Sequence, residues 1–208
     1  MKLQLALDGD LAGSLAVLAQ VHEYVDIIEV GTPLVYREGM VAVRQIRAAY
    51  PHLTLLADLK IMDAGDEEAT IAFEAGADLV TVMGAAHDNT VRGAVSAAKR
   101  YGGRAVVDML QVSDIEARAR ELLALGSHYL CIHTAYDLQY SGGTPLAHLR
   151  LLREALPDAP LAAAGGIKLG TLDNVLDYRP EIIIVGGAIT RAAQPAEIAR
   201  QMHERIHR

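Results

Sequence analysis

Short apolar runs alternate with amphipathic segments from one end of the chain to the other. The runs at Leu3–Leu7, Val25–Val30, Leu53–Asp58, Leu79–Val82, Ala105–Met109, Tyr129–Ile132, Leu161–Ala164 and Ile182–Val185 are short and aliphatic, which predicts buried strands. Between and after them come helical patterns over Leu11–His22, Glu38–Ala49, Glu67–Ala75, Thr90–Lys99, Ile115–Leu125, Pro145–Ala155, Thr171–Leu176 and Ala196–Ile206. Eight strand-helix pairs in 208 residues leave 26 residues for each, enough for a strand, a helix and two short loops. Such alternation specifies a parallel sheet with right-handed crossovers. Eight units with no leftover segment favour closure, so the predicted fold is α/β, a single (β/α)8 TIM barrel over residues 1–208. Gly76-Ala77-Asp78 and Gly126-Ser127-His128, each just before a strand, read as helix C-caps.

Composition narrows the picture. The chain is 51% apolar but only 4% aromatic and has no Trp, so its core must be built from Ala, Val, Leu and Ile. Its formal charge is −7, from 26 acidic and 19 basic residues, and no Lys/Arg-rich run stands out, which argues against nucleic acid as a partner. Asp8 and Asp10 interrupt the apolar N-terminal stretch where a signal peptide needs continuity, and no stretch is long and apolar enough to span a membrane. A single cysteine, Cys131, excludes an intrachain disulfide and reads as an inert core residue. Together these predict a soluble cytoplasmic protein.

In a barrel the chemistry sits at the C-terminal ends of the strands. Those ends carry Asp8, Glu29, Asp58 with Lys60, Asp108, His133, Gly165-Gly166 and Gly186-Gly187, in chain order. Residues two apart on a strand share a face, so Asp58 and Lys60 should project together, as a structural ion pair or as chemistry. Asp8 either caps the first helix or joins the site. Glu29, flanked by Ile28 and Val30, is costly to bury alone. With Asp58 it offers two hard oxygen ligands for Mg2+, the alternative being salt bridges to Lys60. His133, with Asp137 four residues on, is placed for proton transfer, whereas His22, His52, His87, His128, His148, His203 and His207 read as surface or packing residues. The two Gly-Gly pairs serve tight turns or let a phosphate approach main-chain N–H groups, and they follow the two strands where barrels frequently hold one.

Asp58-Leu59-Lys60-Ile61-Met62-Asp63 has the D-x-K-x-x-D pattern of the orotidine 5′-monophosphate decarboxylase suprafamily, which the chain resembles over nearly its whole length. Val25–Pro33, Met62–Gly65, Ala75–Val82 and Ala164–Gly166 carry the likeness. Within that group the chain is similar to the 3-hexulose-6-phosphate synthases, with the 3-keto-L-gulonate-6-phosphate decarboxylases as nearest rival. Nucleotide decarboxylases of the group carry a lysine where this chain has Glu29. The keto-gulonate decarboxylases differ at Asp108 (a glutamate), Tyr136 (an arginine) and Gly187 (an arginine). The resemblance implies a Mg2+-dependent aldol condensation of D-ribulose 5-phosphate with formaldehyde to D-arabino-3-hexulose 6-phosphate. It implies Glu29 and Asp58 at the metal, Lys60 beside the developing oxyanion, and His133 as the base at C1. Asp8, Asp108 and Asp137 would contact substrate, and Gly165, Gly166, Gly186 and Gly187 would hold its phosphate. Asp63 would serve the neighbouring subunit of a homodimer. Decarboxylation of 3-keto-L-gulonate 6-phosphate and a non-catalytic sugar-phosphate-binding barrel are the competing readings.

Overall fold

The computed structural model describes residues 1–139 and 142–208. Eight strands, β1 (Lys2–Leu7), β2 (Ile27–Val30), β3 (Thr54–Ile61), β4 (Leu79–Met83), β5 (Arg104–Asp108), β6 (Tyr129–His133), β7 (Leu161–Ala164) and β8 (Ile182–Val185), pair in sequence order into a closed barrel. All neighbouring pairs are parallel, and Lys2–Leu5 of β1 against Ile182–Val185 of β8 closes the ring. The helices are α1 (Leu11–Val21), α2 (Thr32–Glu38), α3 (Met40–Ala49), α4 (Gly65–Glu74), α5 (Asp88–Tyr101), α6 (Ile115–Ala124), α7 (Tyr136–Gln139), α8 (Leu146–Ala155), α9 (Leu172–Leu176), α10 (Gly187–Thr190) and α11 (Pro195–Ile206). Among the described residues, no helix is long and apolar enough to cross a membrane.

Two apolar layers follow from strand alternation. Side chains pointing outward, among them Leu3, Leu5, Ile28, Leu55, Val80 and Val107, pack under the buried stripes of the helices. Those pointing inward, Ile27, Leu56, Leu79, Val106, Cys131, Ala162 and Ile182, fill the barrel floor. Cys131 is buried in that floor and its thiol is pushed well up by desolvation, in keeping with an inert core residue.

All eight predicted strands form, and the differences are informative. The helix read over Glu38–Ala49 begins at Met40, after Gly39, whose φ of +56° and ψ of −150° lie where only glycine sits easily, and an unpredicted helix precedes it. The preceding turns form α2, with Pro33 in its first turn. Gly76 and Gly126 take positive φ at the ends of their helices, as C-caps do. β3 runs to Ile61, beyond the predicted end at Asp58, because its register against β4 shifts between Ala57 and Ile61. Lys60 sits in that irregularity at φ +48°, its N–H donating to the Thr81 hydroxyl instead of to a ladder carbonyl. Asp58 and Lys60 therefore meet through a bulge and not by plain alternation.

Candidate active site

One step above the apolar floor, the same strands turn polar. Glu29, Asp58, Thr81, Asp108 and His133 each lie two residues beyond a floor residue of their strand, Ile27, Leu56, Leu79, Val106 and Cys131. Asp58 is the hub. Its Oδ1 accepts from the Thr81 hydroxyl at 2.7 Å, its Oδ2 from the Thr32 hydroxyl at 2.7 Å, and the Lys60 ammonium donates to both oxygens at 3.0 and 2.8 Å. Lys60 also reaches Asp108 Oδ2 at 3.2 Å. Burial alone would lower the Lys60 pKa, but the charges of Asp58 and Asp108 overcome it and raise it, so the ammonium is firmly protonated.

Asp108 carries the second pair. Its Oδ2 lies 2.8 Å from His133 Nδ1, and its Oδ1 accepts from the Leu110 N–H at 3.0 Å. Burial would push Asp108 up, yet the hydrogen bond and charge of His133, then Lys60 and the Leu110 N–H, hold it below the usual carboxylate value. An ionised carboxylate only accepts, so His133 Nδ1 carries a proton in either state of the ring, and once the ring is neutral Nε2 is the nitrogen left with a lone pair.

Glu29 is 7% exposed, and its Oε2 accepts from Gln4 Nε2. Desolvation, then the Asp58 charge, push its carboxyl up to about 8. Asp8, at the mouth, is raised too, chiefly by desolvation and then by Asp58, although its side chain opens to solvent. Four carboxyls thus share one ammonium. The buried Gln4 Oε1 beside them has no hydrogen-bond partner among the described residues. This excess of acid, with an acceptor in want of a donor, fits a hydrated divalent cation, and Glu29 and Asp58 are the oxygen donors it would find.

The capping alternative for Asp8 is settled by its neighbour: Asp10 Oδ1 accepts from the Gly13 N–H at 2.7 Å and caps α1. The two glycine pairs differ. Gly165 and Gly166 have φ of +97° and +70°, and a Cβ on Gly165 would strike the Thr134 backbone, so this turn requires glycine on its own account. Gly186 has φ −108° and would meet Ala6 and Asp8 at an ordinary 3.5 Å if it carried a Cβ. A side chain would find room there, though a ψ of −101° lies outside the ordinary helical and extended regions, and the bare backbone keeps space open beside Asp8. The Arg191 guanidinium lies over Gly187, where a Cβ would collide with it, and its charge is felt at Asp8. Arg191 was missed from sequence. The signal was an Arg four residues after a glycine pair at the end of the last strand.

Asp63 and Asp137 stand apart. Asp63 is exposed, its Oδ1 accepting from the Ala64 N–H at 2.8 Å, and no hydrogen bond or ion pair joins it to Lys60 or Asp58 among the described residues. Asp137 is exposed on α7. A surface depression of about 930 Å3 is lined by Gly84–Asn89 and residues between Gln111 and Glu121, beside the mouth and not over Lys60. None of the charged cluster lines it.

Comparison with known proteins agrees with this fold. The family model described as "Orotidine 5'-phosphate decarboxylase / HUMPS family" matches residues 1–202. The chain is 48% identical to a 3-hexulose-6-phosphate synthase of Bacillus subtilis (strain 168), with 99% of each chain covered. The crystal structure of 3-hexulose-6-phosphate synthase from Salmonella typhimurium superposes with a TM-score of 0.97 at 43% identity, covering 100% of this chain and 99% of that one. The crystal structure of 3-keto-L-gulonate-6-phosphate decarboxylase from Vibrio cholerae superposes with a TM-score of 0.88 at 31% identity, covering 99% of this chain and 97% of that one. With a model match over nearly its whole length and full-length relatives above 40% identity, this chain belongs to the orotidine 5′-phosphate decarboxylase / HUMPS family and is a lyase-type enzyme.

Proposed function

We propose that the protein condenses D-ribulose 5-phosphate with formaldehyde to give D-arabino-3-hexulose 6-phosphate, through an enediolate of the pentose. The observation that carries this reading is the Asp108–His133 pair, bonded at 2.8 Å, with the Lys60 ammonium 3.2 Å from the same carboxylate oxygen. A proton beside a carbonyl is too weakly acidic to remove at neutral pH unless the resulting oxyanion is stabilised. His133 Nε2 takes the C1 proton, Asp108 holds the ring in the required tautomer, and Lys60 sets positive charge beside the developing oxyanion. The enediolate carbon then attacks formaldehyde, whose oxygen takes up a proton as the new carbon–carbon bond forms. Mg2+ held by Glu29 and Asp58, directly or through water, would supply Lewis-acid polarisation of the sugar's oxygens.

Asp8 positions a sugar hydroxyl, with Asp137 a further substrate contact. The backbone of Gly165, Gly166, Gly186 and Gly187 receives the phosphate, and the Arg191 guanidinium is placed to approach it across Gly187. Asp63 serves a second copy in a homodimer; its exposure, next to a half-exposed Met62, supports that part of the proposal. A cytoplasmic location belongs to the same proposal.

Decarboxylation of 3-keto-L-gulonate 6-phosphate is the second reading, because the lysine and carboxylate machinery would serve either enediolate. Asp108, Tyr136 and Gly187 favour the condensation, as does a relative named as a synthase at 48% identity against 31% for the Vibrio cholerae decarboxylase. Incubating the protein with ribulose 5-phosphate, formaldehyde and Mg2+ should consume formaldehyde in an enzyme-dependent way. No consumption, together with CO2 release from keto-gulonate 6-phosphate, transfers the assignment to the decarboxylase.

A further inference from the structure

At the opposite end of the barrel, where the strands begin, Asp26, His203 and His207 come together. Each offers one ligand atom, and the three atoms lie within 4.8 Å of one another. Asp26 directly precedes β2, and its carboxylate is fixed by the Leu3 N–H, which donates to Oδ2 at 2.7 Å. His203 and His207 are four residues apart at the end of α11, so they share one face of it, and their rings stack with centroids 4.0 Å apart.

The hydrogen bonds fix both tautomers. His203 Nδ1 lies 3.0 Å from the Tyr24 carbonyl oxygen, and His207 Nδ1 lies 2.9 Å from the His203 carbonyl oxygen. A carbonyl only accepts, so both Nδ1 atoms carry hydrogen and both neutral rings present a bare Nε2. His207 Nε2 then faces Asp26 Oδ2 at 3.4 Å, lone pair against lone pair. Such a pair is at rest only with something positive between its members, either a proton or a metal ion. A distance of 3.4 Å is also the edge of a tetrahedron with metal–ligand bonds of about 2.0–2.1 Å. Backbone carbonyls holding the far ring nitrogens are the outer support that metal-bound imidazoles ordinarily have.

We propose that Asp26, His203 and His207 form a binding site for a divalent first-row transition ion of the zinc type, on the face away from the catalytic mouth. Two imidazole nitrogens and one carboxylate oxygen suit Zn2+ and disfavour Mg2+, and partial exposure of the cluster lets water complete the coordination. An ion there would fasten the last helix to the turn at His22–Tyr24 and the entry to β2, tying the end of the chain to its beginning. The site stands whichever reaction the other face performs.

The test is Zn2+ titration by calorimetry and Co2+ titration by visible absorption, on chelator-treated full-length protein. Wild type, His203→Ala, His207→Ala and, as a control for the catalytic face, Glu29→Gln are compared. The expected result is a Zn2+ site that is retained in Glu29→Gln and weakened at least ~10-fold in each histidine variant. Zn2+ should raise the Tm of wild type by a few degrees, about the shift that mass action gives with the ion well above its Kd, and leave that of His207→Ala in place. No Zn2+ binding by wild type at millimolar ion, binding undiminished in both histidine variants, or binding lost only in Glu29→Gln overturns the proposal, leaving a protonated His207 paired with Asp26.

Discussion

The barrel interior holds two layers built by the same strands, and they obey opposite rules. The floor of Ile27, Leu56, Leu79, Val106, Cys131, Ala162 and Ile182 is buried and apolar. Two residues further along lie Glu29, Asp58, Thr81, Asp108 and His133, with Glu29, Asp58 and Asp108 all at most 7% exposed. The floor is held by area removed from water, about 1.5–3 kcal/mol for each large aliphatic side chain. The charged layer is held by mutual satisfaction, and only in part: Asp58 is bonded on both oxygens, whereas Glu29 is forced towards its neutral form and Gln4 Oε1 lacks a partner among the described residues. The floor keeps the barrel closed, and the incompletely satisfied layer above it is where ligands have something to complete.

Removing Lys60 should break this contrast most severely. Lys60→Ala leaves Asp58 and Asp108 without their shared cation, so activity should fall ~10²–10³-fold or more in steady-state assays. Stability should fall by about 3 kcal/mol in urea melts, more than a surface lysine could cost. A floor residue should separate the two measurements: Leu56→Ala should cost about 2–5 kcal/mol, with the folded fraction keeping most of its activity per molecule. Equal loss of activity per folded molecule in both variants would erase the distinction between the layers.

Glu29 sharpens the comparison through pH. Its carboxyl is raised from 4.5 to about 8, so between those values the folded protein holds a proton that the unfolded chain has released. Stability of the metal-free protein from this group is therefore greatest below about pH 4.5 and declines as pH rises towards 8. Glu29→Gln should remove that decline, gaining roughly 1–3 kcal/mol over wild type at pH 8 in chelator and nothing near pH 4.5, read from paired urea melts. For the same reason Mg2+ should bind wild type more tightly as pH rises to 8, with release of a proton. The smallest effect belongs to Arg191→Ala, predicted to raise KM for the sugar phosphate by about 10-fold with kcat little changed, as loss of uniform binding does.

Much of this was legible in the sequence, for physical reasons. Parallel strands buried on both faces leave continuous apolar runs, and the length of one strand-helix unit counted them to eight. A charge at the end of such a run, as at Glu29, Asp108 and His133, is costly unless it has a partner, and this pointed to the cluster that the barrel brings together. Local backbone departures were not legible. Gly39 divides α2 from α3 by a φ that pattern does not reveal, and Lys60 reaches Asp58 through a register shift that no alternation rule predicts. Nor did spacing show Asp10 taking the cap that Asp8 was also placed to provide, or Arg191 folding back over Gly187, because both depend on where side chains end up in space. His203 and His207 read as surface or packing residues, and their approach to Asp26 was not legible because Asp26 lies far from them in sequence.

The central claim is that His133 Nε2, held by Asp108, removes the proton at C1. It is tested most directly by proton NMR of ribulose 5-phosphate in D2O with Mg2+ and without formaldehyde, comparing wild type with His133→Ala. Wild type should exchange the C1 proton for deuterium, and His133→Ala should lose that exchange by ~10²–10⁴-fold while binding Mg2+ as before. Exchange undiminished in His133→Ala would contradict the account.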